Sequence, residues 1–227
     1  MKLINSFLAA ALLLPIITLT SCNDSGNDDP LIIYNAFVTY DGSEGNTATF
    51  TTQEKDDSDI ITFTATVNAS GLTKGKRYVI SYTTPDGSRF KSGPIELYQV
   101  LTPYQEPYKE ATLDEINNLF NTALSKTVSS TPGRTGMYIN VPALSEFPPK
   151  TFGLYVDKAT LSNELPDVYI VFDPDSDKSA PVGTYLGSFD ISKLFENHAG
   201  IRLHYYQNAT QKTTDFRKGD KPIKPVE

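Results

Sequence analysis

The chain has 227 residues, of which 39% are hydrophobic, and its 13 tyrosines and 12 phenylalanines are ordinary for a folded, β-rich protein. Its 20 basic residues are outnumbered by 27 acidic ones, and the net charge of −7 argues against nucleic acid and against a polybasic membrane contact. The single cysteine excludes disulfide bonds within the chain and zinc sites built on several thiolates.

Residues 1–21 have the pattern of a secretory signal peptide. Lys2 provides a positive start, and residues 7–19 form an apolar run that is too short to span a bilayer. A small residue, Ser21, precedes the one cysteine, Cys22. This arrangement resembles a bacterial lipoprotein signal, in which the cysteine is lipidated and becomes the first residue of the mature protein. The resemblance implies a membrane partner that is reached through lipid on Cys22.

Residues 22–30 are predicted to be an acidic tether, because such small and polar residues cannot bury apolar surface. The segment contains Asp24, Asp28 and Asp29. In Bacteroidetes, acidic residues just after the lipidated cysteine resemble the signal that sends lipoproteins to the outer surface. We therefore expect an outer-membrane lipoprotein that faces the periplasm or the cell surface, with these three aspartates as a possible export signal.

Residues 31–103 have the pattern of successive β-strands. Residues 61–67 alternate between apolar residues and threonine, which places the apolar side chains on one face. Residues 47–53 and 77–84 are similarly rich in threonine, aromatic and β-branched residues. Turn-forming pairs such as Ser70-Gly71 separate the runs. Five short strands at this spacing predict a small antiparallel barrel or sandwich.

Residues 104–135 are predicted to connect this unit to a second one and to contain a helix at residues 112–128. Thr112 and Glu115 have the spacing of a capping box, and apolar residues recur at helical spacing after them. The turn-forming sequence at residues 129–136 ends this helix.

Strands resume in residues 136–210, which we predict to form a second β unit, followed by a polar tail at residues 211–227. Prolines punctuate the strands as loop or edge residues. The predicted fold class is therefore all-β and mainly antiparallel, with one connecting α-helix.

No catalytic motif is present in the sequence. The G-x-S-x-G nucleophile elbow, the glycine-rich phosphate loops and HExxH are all absent. The two histidines are His198 and His204, and we expect His204 on the solvated, polar face of a strand. We predict no catalytic residue and no cofactor.

Four tyrosines could act as stacking platforms for sugars, although tyrosine on a strand most often serves packing. They are Tyr104, Tyr108, Tyr205 and Tyr206. Because adjacent strand residues point to opposite faces, at most one of Tyr205 and Tyr206 can belong to a given site.

Asp173, Asp175 and Asp177 alternate as oxygen ligands do at the start of an EF-hand loop. However, Lys178 stands where that loop needs glycine, and Thr184 stands where it needs glutamate. A solvated turn is the preferred interpretation, with calcium binding as an open alternative, and no metal site is predicted.

Several short stretches give the chain a family resemblance. They are residues 75–82 (GKRYVISY), 136–140 (GMYIN), 187–192 (GSFDIS) and 200–203 (GIRL). Together with the lipobox cysteine and the tether, these stretches resemble the NigD-like lipoproteins of Bacteroidetes. The resemblance implies an N-terminal OB-like barrel and a C-terminal β-sandwich, and it suggests an accessory or immunity-type role.

The functional hypothesis is a non-enzymatic, lipid-anchored envelope protein whose β units present a binding surface to a protein or glycan. One alternative is a carbohydrate-active hydrolase, which would need a pocket with two carboxylates. Another is a fimbrillin-like pilus subunit, which would need proteolytic maturation after an arginine, with Arg77 and Arg134 as candidates.

Overall fold

The computed structural model describes residues 32–53, 60–178 and 181–220. The predicted signal peptide and tether, including Cys22, Asp24, Asp28 and Asp29, lie outside the described residues. Within the described part of the chain, no helix is long and apolar enough to cross a membrane.

The first unit is a six-stranded sheet. Its strands are β1 (Tyr34–Glu44), β2 (Thr47–Gln53), β3 (Ile60–Thr66), β4 (Arg77–Thr83), β5 (Gly93–Pro94) and β6 (Glu96–Leu101). They lie in the order β5-β3-β2-β1-β4-β6, and all pairs except β3 with β5 are antiparallel. The pairings run from one edge to the other and do not close into a barrel among the described residues.

The alternating pattern of β3 builds the core of this unit as predicted. Ile61, Phe63 and Ala65 are buried, and the ring of Phe63 packs against that of Tyr82 with centroids 4.8 Å apart. Residues 77–82 of β4 are all buried, so this strand is covered on both faces.

The second unit is a β-sandwich with a helix on one outer face. Its strands are β7 (Lys109–Ala111), β8 (Ser129–Ser130), β9 (Gly133–Thr135), β10 (Tyr138–Ser145), β11 (Pro149–Asp157), β12 (Asp167–Pro174), β13 (Gly183–Asp190), β14 (Gly200–Gln207) and β15 (Thr210–Arg217). One sheet has the order β13-β10-β8, with β9 also paired to β10, and the other has the order β15-β14-β12-β11-β7. The helices are α1 (Leu113–Phe120) and α2 (Ser192–Asn197), and two 3-10 turns span Ser125–Thr127 and Lys158–Thr160.

Helix α1 begins where the sequence predicts. The Thr112 hydroxyl accepts from the Glu115 N–H, and the Glu115 carboxylate accepts from the Thr112 N–H at 2.8 Å, which confirms the capping box. Ile116 and Phe120 pack on the outer face of the five-stranded sheet, whereas Val128 belongs to the core between the two sheets. One straight helix cannot reach both sides of a sheet, so α1 ends at Phe120. The predicted continuation of the helix to Val128 is therefore wrong.

The predicted polar tail is wrong for residues 211–217, which lie in strand β15. This strand pairs with β14 at eight positions after a tight turn in which Asn208 and Ala209 have φ angles of 51° and 59°. Phe216 is its one buried residue. An edge strand is held largely through backbone hydrogen bonds, so its side chains carry little apolar signal. Helix α2 was also missed, because Ile191 gives it no side-chain cap.

Candidate functional site: a polar cleft between the two units

The buried side chain of Arg77, on β4, bonds to residues of both units. Its Nη1 donates to Thr39 of the first sheet at 3.1 Å. Its Nε and Nη2 donate to Ser188 at 3.1 Å and to Thr135 at 3.2 Å in the second unit. The guanidinium also lies 4.3 Å above the centroid of the Tyr138 ring. A single guanidinium therefore spans the junction. Its N–H donors have a rigid, planar arrangement, so they can bond to both units at once.

Asn140 completes this buried network. Its Oδ1 accepts from the Ser188 hydroxyl at 2.7 Å, and its Nδ2 donates to the Thr135 hydroxyl at 2.6 Å. Asn140 and Ser188 are each 1% exposed, so these bonds replace the hydrogen bonds to water that the two side chains lose on burial. The junction is thus fixed by paired polar groups.

The connector is hydrogen-bonded to both units just before the cleft. The Tyr104 N–H donates to the Leu186 carbonyl and the Tyr104 carbonyl accepts from the Ser188 N–H, each at 2.8 Å. The next side chain, Gln105, accepts from the Arg77 N–H at 3.1 Å and donates to the Arg77 carbonyl at 3.3 Å. These bonds hold the connector against β4 and β13.

A cleft of about 580 Å³ opens beside this junction. Its walls come from the turn before β4, the connector, and the end of β13 with the start of α2. The polar side chains that line it include Lys76, Gln105, Tyr108, Glu110, Asp190 and Lys193. A cleft of this volume lies within the range of small-molecule sites in proteins.

Three charged groups in the cleft are available to a ligand. The side chains of Lys76, Lys193 and Glu110 are exposed, and none has a hydrogen bond or ion pair with another residue in the described part of the chain. Asp190 differs, because its Oδ1 already accepts from the Ser192 N–H at 2.8 Å. Two cations from different units and one carboxylate from the connector therefore face the same space.

Tyr108 adds a hydroxyl donor to the cleft. Its pKa is raised above 10.0, first by burial and then by the negative charges of Glu110, Asp190 and Glu196. The phenol is accordingly protonated at neutral pH and can donate a hydrogen bond.

Of the four tyrosines considered as stacking platforms for sugars, Tyr108 lines the cleft. Tyr104 packs on Phe152 with ring centroids 5.4 Å apart. Tyr205 contacts the core between the sheets and Tyr206 the cluster under α1, which confirms that they point to opposite faces.

Sequence reasoning did not single out the charged residues of the cleft. Yet the stretches that carry the family resemblance meet at this place: residues 75–82 contain Arg77, residues 136–140 contain Asn140, and residues 187–192 contain Ser188. The local sequence around each junction residue could therefore have indicated this site.

The prediction that the His204 side chain is solvated is wrong, because this side chain is only 14% exposed. Its Nε2 lies 2.7 Å from a carboxylate oxygen of Asp167, its Nδ1 lies 3.2 Å from the Thr213 hydroxyl, and its ring stacks on Tyr169 at 4.5 Å. The hydroxyl, imidazole and carboxylate follow the order of a nucleophilic triad. However, Tyr169 and Thr213 are the register partners of His204 on the neighbouring strands, so ordinary cross-strand pairing accounts for the cluster.

The segment with three aspartates forms the predicted turn. The Lys178 N–H donates to the Asp175 carbonyl at 3.0 Å, and the Asp175 carboxylate pairs with Lys178 at 3.1 Å and Lys150 at 3.7 Å. The hydrogen bond from Lys178 is the main cause that lowers the pKa of Asp175. Within the described ranges, no group of three or more His, Cys, Asp or Glu side chains is placed to hold a metal ion.

Both arginines that a pilus subunit would need for maturation are buried in strands. Arg77 is 3% exposed, and Arg134 is 5% exposed and donates to the carbonyls of Gly136 and Arg217. A protease needs an accessible, extended loop, so these positions do not favour the pilus alternative.

Fold and cleft together define an all-β protein of two units, with a polar cleft where the units meet. No model of a known protein family matches the sequence, and no curated protein does either.

Solved structures with a similar fold include proteins from Bacteroides and Parabacteroides species. A protein of unknown function from Bacteroides vulgatus is similar with a TM-score of 0.60 at 13% identity, over 86% of this chain and 96% of that one. A candidate lipoprotein from Bacteroides fragilis has a TM-score of 0.54 at 13% identity, over 82% and 98%. A NigD-like immunity protein from Bacteroides caccae has a TM-score of 0.52 at 15% identity, over 81% and 91%. The resemblance stated from sequence is therefore confirmed at the level of the fold.

Proposed function

We propose that this protein is a non-enzymatic lipoprotein of the cell envelope that binds a protein or glycan partner in the cleft between its two units. The observation that carries the proposal is the set of unpaired charges, Lys76, Lys193 and Glu110, held around one cleft of about 580 Å³. Charged groups that converge on a concave surface without mutual pairing are available for recognition.

The rigidity of the cleft supports this role. Lys76 precedes the buried Arg77, and Gln105 is bonded to the backbone of Arg77 on both sides. Because these hydrogen bonds fix the backbone beside Lys76, little backbone entropy is lost there when a ligand binds.

Lipid on Cys22 would place this cleft at the outer membrane, where Asp24, Asp28 and Asp29 would act as an export signal to the cell surface. The fold shared with a candidate lipoprotein and with a NigD-like immunity protein supports the envelope location and an accessory or immunity-type role. The anchor consists of lipid, since the acidic chain offers anionic membranes little attraction.

The test is chemical cross-linking on intact cells, followed by affinity capture of the wild-type protein and of a Lys76→Ala/Lys193→Ala variant. The matched control is Lys126→Ala/Lys212→Ala, because these two lysines are also exposed but do not line the cleft. We expect one dominant envelope partner with the wild type and the control, and a clear loss of that partner with the cleft variant.

Equal capture by all three proteins would show that the cleft is not the binding surface. If no protein is captured, the same three proteins are applied to immobilised polysaccharides. Retention that depends on Lys76 and Lys193 would then assign a glycan, and absence of any binding would contradict the proposal.

A second candidate function is carbohydrate hydrolysis, because two carboxylates, Glu110 and Asp190, line the same cleft. Both residues are exposed, whereas a general acid normally sits in a desolvated position that holds its proton. Release of new reducing ends from a polysaccharide, abolished in both Glu110→Gln and Asp190→Asn, would establish the hydrolase. Binding without release favours the non-enzymatic role.

A further inference from the structure

The exposed apolar side chains of the first unit gather at one end of its sheet. They are Ile32 (53% exposed), Ile33 (39%), Ile60 (59%) and Tyr98 (44%), and we call this group the apolar end. These are four of the seven large hydrophobic residues that are exposed in the described part of the chain. Large apolar groups exposed at one end of a sheet favour a contact surface there.

The strand register places these residues at the same end. Tyr34, which follows Ile33, pairs with Tyr82 of β4, and Tyr82 pairs with Leu97, the neighbour of Tyr98. Ile60 begins β3 at the side where β2 ends and β1 begins. The apolar end therefore lies where the chain enters the first unit.

The length of chain before Ile32 limits how far this end can be from a lipidated Cys22. The ten steps from Cys22 to Ile32 span at most about 35 Å even when fully extended. A bilayer that holds the lipid is thus within reach of the apolar end.

Part of the charge around the apolar end is paired, whereas the Glu96 carboxylate is exposed two positions before Tyr98 and four carboxylates (Glu54, Asp56, Asp57 and Asp59) precede Ile60 in the sequence. Lys91 binds Asp86 at 2.5 Å, and the Arg89 guanidinium lies 4.9 Å from the centroid of the Phe90 ring. The Tyr34 hydroxyl donates to the Gly87 carbonyl and ties this loop to the start of β1. Contact with lipid would therefore depend on apolar side chains and on tyrosine, which suits the boundary between headgroups and acyl chains.

We propose that the apolar end rests in the interfacial region of the bilayer that holds the lipid anchor. This inference rests on the anchoring part of the proposed function and is independent of the partner. The cleft lies at the other end of β4, since Arg77 and Thr83 are about 20 Å apart at strand spacing. Lipid contact at the apolar end orients the cleft away from the membrane surface.

The test uses the chain's lack of tryptophan. The full lipidated protein is reconstituted into phosphatidylcholine vesicles with brominated acyl chains, once as Tyr98→Trp and once as Leu113→Trp. Leu113 is a matched control, because it is 43% exposed but lies on α1 of the second unit. We expect quenched, blue-shifted emission from Tyr98→Trp, no change from Leu113→Trp, and reduced quenching when Ile32→Ser and Ile33→Ser are added to Tyr98→Trp.

The outcomes separate this inference from the proposed function. If the protein floats with the vesicles but both tryptophans remain unquenched, the anchor holds and the lipid contact is wrong. If the protein does not float, the lipid anchor and this inference fail together. A blue shift that grows with protein concentration in vesicles without bromine would assign the apolar end to a second copy of the chain and overturn the inference.

Discussion

The Arg77 Nε donates a hydrogen bond to the Ser188 hydroxyl across 3.1 Å, although 111 positions separate the two residues in the chain. Arg77 begins β4 of the first sheet, and Ser188 lies near the end of β13 in the sandwich. The walls of the cleft meet beside this bond. The shape of the candidate site therefore depends on a buried polar contact between the units.

We expect Arg77→Met to lower the free energy of unfolding by about 2 kcal/mol, because a buried cation with several hydrogen bonds is lost. Asn140, Ser188 and Thr135 retain bonds to one another, which limits the loss. The measurement is urea unfolding. Arg202→Met is the control, since Arg202 forms an exposed pair with Asp215 that water and salt screen, and we expect it to cost much less than Arg77→Met. Equal losses for the two variants would contradict the role of Arg77.

Gly200→Ala should be strongly destabilising. A Cβ at this position would lie 2.1 Å from the Phe216 carbonyl oxygen and 2.8 Å from the Arg217 Cα, and both atoms belong to the backbone of the paired strand β15. We expect a loss of about 3 kcal/mol in thermal unfolding. Gly153→Ala is the control, because the nearest atom there is 4.0 Å away. A Gly200→Ala protein as stable as Gly153→Ala would show that β15 can move.

Tyr185→Phe should leave the protein as stable or make it more stable at neutral pH. The Tyr185 hydroxyl is buried and has no hydrogen-bond partner among the described residues, so its removal costs no bond. The measurement is the urea midpoint at pH 7. A clear loss of stability would reveal a bond to water that the hydroxyl makes.

Stability should fall at alkaline pH. Burial raises the pKa values of Tyr104, Tyr185 and Tyr206 above 10.0, the value expected in the unfolded chain. Because the folded pKa is the higher one, this contribution is complete below pH 10 and is lost as pH rises through the folded pKa values. Urea midpoints from pH 8 to 11 test the direction, and Tyr185→Phe should show a shallower decline. A flat profile would refute the assignment.

Lipidation predicts that Cys22→Ser abolishes incorporation of an alkyne-tagged fatty acid and releases the protein from the membrane fraction. Cys22 is the one cysteine of the chain, so no other thiol can take the lipid. Labelling followed by fractionation of cells measures both effects. Continued labelling of the Cys22→Ser protein would exclude the predicted anchor.

Much of the fold could be predicted from local pattern. The alternation in residues 61–67 predicted the buried face of β3, and Thr112 with Glu115 predicted the start of α1. The cleft could not be predicted in the same way. Lys76, Glu110 and Lys193 come from three distant segments, and an exposed charge has the same sequence pattern on any solvated loop.

Sequence periodicity and capping chemistry sufficed for the all-β class and for the place where the helix begins, because both act between residues a few positions apart. The end of α1 at Phe120, the strand β15 and the Arg77 junction required the folded chain. Each depends on which surface an element meets: Phe120 and Val128 lie on opposite sides of one sheet, and β15 pairs through its backbone. Such contacts join positions far apart in the chain, so no local window of residues contains them.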